Sequence, residues 1–335
     1  MSERRPILTV SIDTEEDNWG SYEPEGATTE NIAHLVELHD RMGQWGARPT
    51  YLINRPPLLD SRSVSVLGAL ADREEVEIGA HCHPWNTPPV TRSGWENSMM
   101  SGLPVEANRQ KVAEITGLIE RRLGVRPRTF RAGRWAFGTT VSTALVAEGY
   151  LADASVSPFV DWAAEGGPNY IEAPYRPYRF HPDRPFDPSP DGPMVEIPTT
   201  VGYLKGGHRR MARFRASIEK TILARLKVVG ILSETGVLQR RWLSPEHSSA
   251  SDMRRLCEAC LRSGEPVLGL TFHSCTLLPG ATPFVRDDGD RERLLRWIEE
   301  VLQYASGSGF VFRTLGEVAM SVLNGNVVTE GTQPS

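Results

Sequence analysis

The chain has 335 residues, 39% hydrophobic and 24% charged, with a formal net charge of -5. This is ordinary globular composition with material for a sizeable core, and the length suits an α/β barrel with insertions better than a sandwich. The acidic balance excludes general nucleic-acid binding, which needs a basic footprint, and no apolar run approaches the ~18 residues of a membrane span.

The N-terminal stretch MSERRPILTVSID enters a strand almost at once, with no apolar segment after its arginines. A secretory leader is therefore not expected, and the expected compartment is the cytoplasm. Apolar runs predict strands at 6–13, 48–54, 76–83, 128–133, 151–157, 194–200, 267–274 and 309–315. Helical spacing appears between them. In TENIAHLVELHDRMGQWG it is carried by Ile32, Leu35, Val36 and Leu38; PVEANRQKVAEITGLIERRLG stops at Gly124, and DRERLLRWIEEVLQYASGSG ends in the same way. Strand and helix alternate through about eight units, which predicts a mostly parallel sheet closed into a barrel.

Two regions break that rhythm. Residues 173–193, APYRPYRFHPDRPFDPSPDGP, read as a long surface loop, and 203–247 as a helical insertion. Within the insertion a basic stretch at 205–227 carries Phe214, Ile218, Ile222 and Leu226 at steps of four. It is either a helix packed on the barrel with a solvated charged face, or a surface that meets anionic lipid or a substrate phosphate. Residues 1–325 are expected to form a single catalytic domain and 326–335 a flexible tail.

Four cysteines, Cys82, Cys257, Cys260 and Cys275, are too few for a disulfide framework. Cys257 and Cys260 form a CxxC inside a helical pattern and read as helix-face residues.

The chemistry-bearing side chains gather at the C-terminal ends of predicted strands. Asp13 and Glu15 end the first, His81 and His83 the third, Arg131 and Arg134 the fourth; Asp153 lies in the fifth, Glu196 ends the sixth, and His273 and Ser274 end the seventh. In a parallel barrel that end forms the active site, and buried charges are retained only when paired or bound to metal. His81 and His83 alternate to one side of an extended chain and Cys82 to the other; Asp13 and Glu15 also share a side. Two imidazoles and a carboxylate make an open zinc set; a second carboxylate can take a proton from water, another histidine can protonate a leaving group, and an arginine can brace the base. Together these point to metal-assisted hydrolysis of an amide or ester. Trp19, Trp85 and Trp135 follow the motifs and suit stacking on a sugar face. Glu196 is expected either to bind substrate or to pair with Arg131 or Arg134.

The motifs SIDTEED, IGAHCHPW, FRAGRW, DASVSP and LTFHS stand in the order of the five motifs of polysaccharide deacetylases, carbohydrate esterase family 4, and the chain resembles that family over roughly residues 6–280. The resemblance implies a distorted (β/α) barrel of seven or eight parallel strands, a divalent metal, usually Zn2+, and removal of acetyl from an N-acetylated sugar. Carried over by motif, it implies Asp13 as general base, Arg131 as its brace, Asp153 as an orienting residue, His273 as general acid and His81 as a metal ligand. Thr14 occupies the place of a second aspartate, so Glu15 takes the metal role. Trp85 stands where the family has its second metal histidine, so His83 is the substitute, as in a subgroup with HxHPW. Trp85, Arg134, Trp135, Glu196 and Ser274 are the expected substrate contacts. The expected substrate is an acetamido sugar, either a glycan or glycoside or a nucleotide- or lipid-linked precursor. The alternatives are a deformylase or other C–N hydrolase on linear or cyclic amides, and an inactive glycan-binding barrel.

Overall fold

The computed structural model describes residues 5–90, 95–219 and 238–327. Strand β1 (Ile7–Thr14) lies inside the main sheet; β2 (Pro49–Ile53), β3 (Glu77–Cys82), β4 (Thr129–Ala132) and β5 (Ala152–Asp153) follow it outward in parallel. Next come β6 (Tyr178–Phe180) and β7 (Met194–Glu196): β7 pairs parallel with β5, and β6 is the antiparallel edge beyond it. The hairpin of β8 (Val201–Tyr203) and β9 (Arg240–Trp242) stands apart from this sheet. On the other side of β1, β10 (Val267–His273) pairs along nearly its full length; β11 (Val311–Phe312) pairs with Ile7 and Leu8 on the β2 side, ahead of where β2 joins at Val10.

All eight expected strands form, shorter than their sequence bounds or within a residue of them. The strand face turned to the helices is apolar, as at Leu8, Val10 and Ile12, while the inner face carries polar residues, Thr9, Ser11 and Asp13 on β1. The sheet does not close as the barrel expectation required. Among the described residues β6 and β10 do not pair. The edge of β10 is covered by the chain leading into and out of the β8–β9 hairpin: Gly269 N–H donates to Thr200 Oγ1 at 2.8 Å, and Thr271 N–H to the Leu243 carbonyl at 3.1 Å. The molecule is thus a mixed α/β fold on a curled, open sheet. The stretch 173–193 is also more than a loop. Tyr178 and Phe180 alternate into the core and build β6, their apolar contacts outweighing the prolines around them.

The described helices are α1 (Leu35–Gly43), α2 (Ser61–Ala71), α3 (Val105–Leu123), α4 (Thr139–Ala147), α5 (His208–Glu219), α6 (Ala250–Arg262), α7 (Asp288–Gly307) and α8 (Leu315–Leu323). Helix α3 ends where Gly124 takes φ +70°, the left-handed cap that glycine adopts without a Cβ penalty. The main core packs Leu8, Val10 and Ile12 against the surrounding helices. Cys257 and Cys260 lie on the buried face of α6 as small apolar residues, and burial pushes the Cys257 thiol up to about 12.

Helix α8 plugs the end of the sheet where the strands begin. Leu315, Val318 and Val322 pack on Leu52, Val195 and Val267. Its N-terminus is held twice: Thr314 and Glu317 form a capping box, while Gly316 N–H donates to Glu77 Oε2 at 2.9 Å and Leu315 N–H to Thr50 Oγ1 at 3.0 Å. The opposite end, where the strands finish, stays open to the loops. Of the insertion at 203–247, residues 220–237 lie outside the described residues, and with them Ile222 and Leu226; most of the expected tail also lies outside.

Candidate active site

Alternation along β1 sends Leu8, Val10 and Ile12 to the helix side and leaves Ser11 and Asp13 facing the sheet interior. Register brings His273 beside Asp13, and Arg131 beside His81. Arg131 is 2% exposed, yet every arm has a partner. Nη1 donates to Asp13 Oδ1 at 2.6 Å and to Thr271 Oγ1 at 2.9 Å, Nη2 to Ser11 Oγ at 2.8 Å and Nε to the Ala154 carbonyl at 2.8 Å. Burial alone would raise the Asp13 pKa; Arg131, His81 and His273 outweigh it and hold the carboxyl below its ordinary value. Asp13 is thereby kept ionised at the floor of the cleft.

Glu15 follows directly on β1, its N–H donating to Ser274 Oγ at 3.0 Å and its Oε1 accepting from the Cys275 thiol at 3.3 Å. Its Oε2 stands 3.4 Å from His81 Nε2 and 3.2 Å from His83 Nε2, and the two Nε2 atoms are 2.9 Å apart. What faces the other ring nitrogens decides what this cluster can do. His81 Nδ1 lies 2.9 Å from the Arg131 carbonyl, and His83 Nδ1 lies 3.0 Å from Glu16 Oε1. The carboxylate and carbonyl at the two Nδ1 atoms favour hydrogen there, the Asn54 amide beside His83 Nδ1 giving its own hydrogen to Glu16 Oε2, and both Nε2 atoms then point at each other and at a carboxylate. Three lone pairs converging in a buried site call for a positive charge between them. In the protein alone a proton supplies it: burial lowers the His83 pKa, but Glu16 and Glu15 overcome that and push it up to about 10. The donor set, two imidazoles and a carboxylate with acceptors fixing the tautomers, fits a divalent ion such as zinc.

A second buried cluster, His208, Cys260 and Glu265, has similar residue types and the opposite chemistry. His208 Nδ1 accepts from Tyr203 N–H at 2.9 Å. Its hydrogen is therefore on Nε2, facing Glu265 Oε1 at 3.1 Å, and no lone pair is left there for a metal.

Across the cleft, His273 is held by a residue that sequence patterns did not single out. Glu246, from the loop after β9, has a side chain 2% exposed; its Oε1 accepts from His273 N–H at 2.8 Å, and its Oε2 lies 3.0 Å from Nδ1. That leaves His273 Nε2 facing the cleft, 3.6 Å from Asp13 Oδ2. Burial lowers the His273 pKa, but Glu246, Glu15 and Asp13 outweigh it and push it up to about 10. His273 is a protonated imidazole positioned over the Asp13 carboxylate.

The cleft is ≈ 230 Å³ and aromatic-walled, with Trp19, Tyr22, Trp85, Trp135, Trp162 and Trp242 around the polar floor. Trp85 stacks on His83 with ring centroids 4.1 Å apart, and Trp19 meets His273 edge-on at 4.8 Å. The turn after β4 is tight by necessity. A Cβ on Gly133 would lie 2.5 Å from His83 Cδ2, and Arg134 and Trp135 follow with φ of 55° and 57°, a left-handed pair outside glycine. Tyr170 donates its hydroxyl to the Trp135 carbonyl at 2.6 Å, holding that turn, and Arg134 lies over the Tyr22 ring at 4.8 Å. The loop after β3 is pinned by Lys111 of α3, 3% exposed, whose Nζ donates to the carbonyls of Pro84, Thr87 and Pro89 at 2.9, 2.6 and 2.8 Å.

Asp13, Glu15, His81, His83, His273, Arg134, Trp85 and Trp135 thus line one cleft, with Arg131 directly beneath Asp13. Besides Arg131, three expected site residues do not line it. Asp153 pairs in register with Phe130 rather than Arg131, so alternation puts it on the sheet's other face; Glu196 pairs with Asp153 and shares that face. Both are 0% exposed. Glu246, not Asp153, is the carboxylate in contact with His273, and Glu196 pairs with neither Arg131 nor Arg134 but lies beside Asp153. Ser274 is also fully buried and positions Glu15 from behind. Cys82 packs in the core, facing away from its neighbouring histidines. Glu16 escaped the sequence reading as well; its one signal was a third acid in TEED.

No protein-family model matches the chain, and no curated protein matches it. Solved structures do resemble it. One, from Mycobacterium smegmatis and provisionally assigned as a polysaccharide deacetylase, aligns with a TM-score of 0.53 and 16% identity over 100% of this chain and 96% of that one. A GH57 branching enzyme from Thermococcus kodakaraensis gives 0.52 at 11% identity, over 95% of this chain and 71% of that one. A GH57-type branching enzyme from Pyrococcus horikoshii gives 0.50 at 11% identity, over 93% and 69%. At such identities the likeness is one of fold: the chain folds as these sugar-active proteins do.

Proposed function

We propose that the protein is a metal-dependent hydrolase that removes the acetyl group from an N-acetylated sugar. The fold alone does not select this chemistry, since a deacetylase assignment and branching enzymes share it. The observation that carries the reading is the pair of Nε2 atoms converging at Glu15, set beside an ionised Asp13 and opposite a protonated His273. Cleavage of a glycosidic bond asks for two carboxyl groups acting as acid and as base or nucleophile. Here the carboxylates of the cleft floor are each committed to a cation or an imidazole: Asp13 to Arg131, Glu15 and Glu16 to the histidine pair, Glu246 to His273.

Glu15, His81 and His83 would hold the ion. A bound divalent ion supplies a Lewis acid for the amide carbonyl and lowers the pKa of water. The chain supplies the rest. Asp13, kept charged by Arg131, accepts the proton of the attacking water. His273, kept charged by Glu246, gives the Nε2 proton to the departing amine nitrogen, so that acetate and a free amino sugar result. The aromatic walls stack on the apolar faces of the sugar and exclude water from the floor. The expectation of zinc rests on the nitrogen-rich set, which suits zinc better than magnesium or calcium.

The test is acetate release from N-acetylated sugars by zinc-loaded protein, run beside N-formyl and cyclic-amide substrates. Acetate release that disappears in Asp13→Asn, with the fold and bound zinc retained, supports the reading. Turnover confined to formyl or ring amides moves the assignment to another C–N hydrolase. A protein that binds glycan but neither takes up metal nor releases acetate would be a binding barrel.

A further inference from the structure

We propose that the outward face of helix α5 seats the protein on an anionic membrane surface. Residues 205–219 hold five lysines and arginines against a single glutamate, in a chain whose net charge is -5. The helix is anchored from one side: His208, Ala212 and Ile218 are buried, the last two packing with Phe159, Tyr203 and Leu238. Its opposite face is fixed by that anchoring. At about 100° per residue, Arg210, Arg213, Phe214 and Ser217 fall within roughly 100° of one another. All four are exposed, Phe214 by 45%. Lys205, just before the helix, is exposed too.

The charge here is cancelled only in part: Lys205 and Arg210 make no ion pair among the described residues. Arg209 and Arg213 share one carboxylate, Glu172, and Arg215 pairs with Glu219. A single exposed phenylalanine is ordinary on a protein surface. One set between Arg210 and Arg213 on an anchored helix has the composition of an interfacial helix, in which guanidinium groups meet lipid phosphates and the ring enters the headgroup boundary. A flat anionic lamella touches this face alone, whereas a long polyanion would run on to the acidic remainder of the chain. The placement has a use. Helix α5 leaves the Tyr203–Arg240 end of the β8–β9 hairpin, and the other end of that hairpin carries Trp242, a wall of the cleft. A surface held at α5 lies on the same unit as the cleft wall. The proposal stands on the surface residues and does not depend on the chemistry of the cleft.

The experiment is co-sedimentation of the full chain with phosphatidylcholine vesicles, with or without phosphatidylglycerol, at low and high salt. Expected is sedimentation with phosphatidylglycerol vesicles alone, weakened by salt, and at least tenfold weaker partitioning for the double variant Arg210→Glu, Phe214→Ser. The control Arg121→Glu, an exposed position on α3, is expected to leave binding unchanged. Absence of any phosphatidylglycerol preference at low salt overturns the proposal. So does an equal loss in the Arg121→Glu control, which would mean unspecific charge attraction. Release of the protein by millimolar free glycerol phosphate would mean a headgroup pocket and would equally overturn it. Circular dichroism of both variants separates lost contact from lost fold.

Discussion

Glu16 decides which nitrogen of His83 is available. Its carboxylate accepts from His83 Nδ1 and from the Asn54 and Asn86 amides, so the histidine's hydrogen is pulled away from the side that faces His81 and Glu15. An amide at this position can turn its NH2 toward Nδ1 and favour the wrong tautomer. Glu16→Gln is therefore expected to weaken zinc binding by about 10–100-fold, read by competition with a chromophoric chelator. An unchanged affinity would show that the tautomer is fixed elsewhere. Glu246 acts on His273 in the same manner but on the proton side. The carboxylate raises the imidazole pKa; replacing it by an amide lowers that pKa, so the protonated donor is lost at lower pH. The alkaline limb of the pH–rate profile for Glu246→Gln is expected to move down by at least one pH unit. If it stays in place, His273 is not the proton donor. The types of the reacting side chains were legible in the sequence because strand ends label themselves by pattern. Their supports were not. Glu246 reaches His273 across 27 residues of sequence through a hairpin with no clear strand signal, and nothing in its neighbours marks it.

At the scale of elements, one residue of register separates Asp153 from the site. A strand expected over seven residues is two residues long, and its pairing with Phe130 sends the acid to the far face. There Asp153 and Glu196 form a buried pair. Burial raises both, Asp153 to about 6 and Glu196 well above the usual carboxylate range, with Glu196 as the proton carrier. Groups whose folded pKa is raised stabilise the fold below their unfolded pKa and lose that contribution as pH rises through the folded value. Wild-type stability is thus expected to decline as pH rises out of the ordinary carboxylate range, through about 6 for Asp153 and further upward for Glu196. Glutamine mimics the protonated glutamate, accepting from Val156 N–H and donating to Asp153, and it does not titrate. Melting temperatures of Glu196→Gln between pH 5 and 9 are expected to follow a flatter curve, higher than wild type by about 2–4 °C per kcal/mol regained at alkaline pH. Parallel curves would assign the pH dependence to other groups.

For the whole molecule, the two ends of the sheet carry different work. Helix α8 seals the end where strands begin, through Glu77, Thr50 and a shared apolar cluster, while the open end gathers the polar side chains. The alternation of strand and helix was readable throughout because short, largely apolar runs alternate with segments of helical spacing. The missing closure was not, since it depends on the insertion covering the β10 edge. The cleft gathers Glu15, Glu16, Asp13 and Glu246 near one another, so a divalent ion bound only by the folded state should stabilise it. Zinc added to chelator-stripped protein is expected to raise the melting temperature, by the equivalent of about 4 kcal/mol at a thousandfold excess over Kd. The rise should vanish in His81→Ala; a rise of equal size in that variant would place the ion elsewhere.

Lys111 gives the loop after β3 a cation that cannot leave. Its ammonium group sits among three carbonyls as a structural ion would, but it is tethered to α3 by its own side chain. The segment from Pro84 to Pro89 is therefore expected to keep its shape with or without an ion at the histidine pair, and on the proposed metal role, loading would be capture by a finished socket. Amide exchange at Asn86 and Thr87, both bonded to the His83 carbonyl, is expected to be equally slow in stripped and zinc-loaded protein. In Lys111→Met, with the tether gone, the same amides should exchange faster and regain protection only when zinc is present.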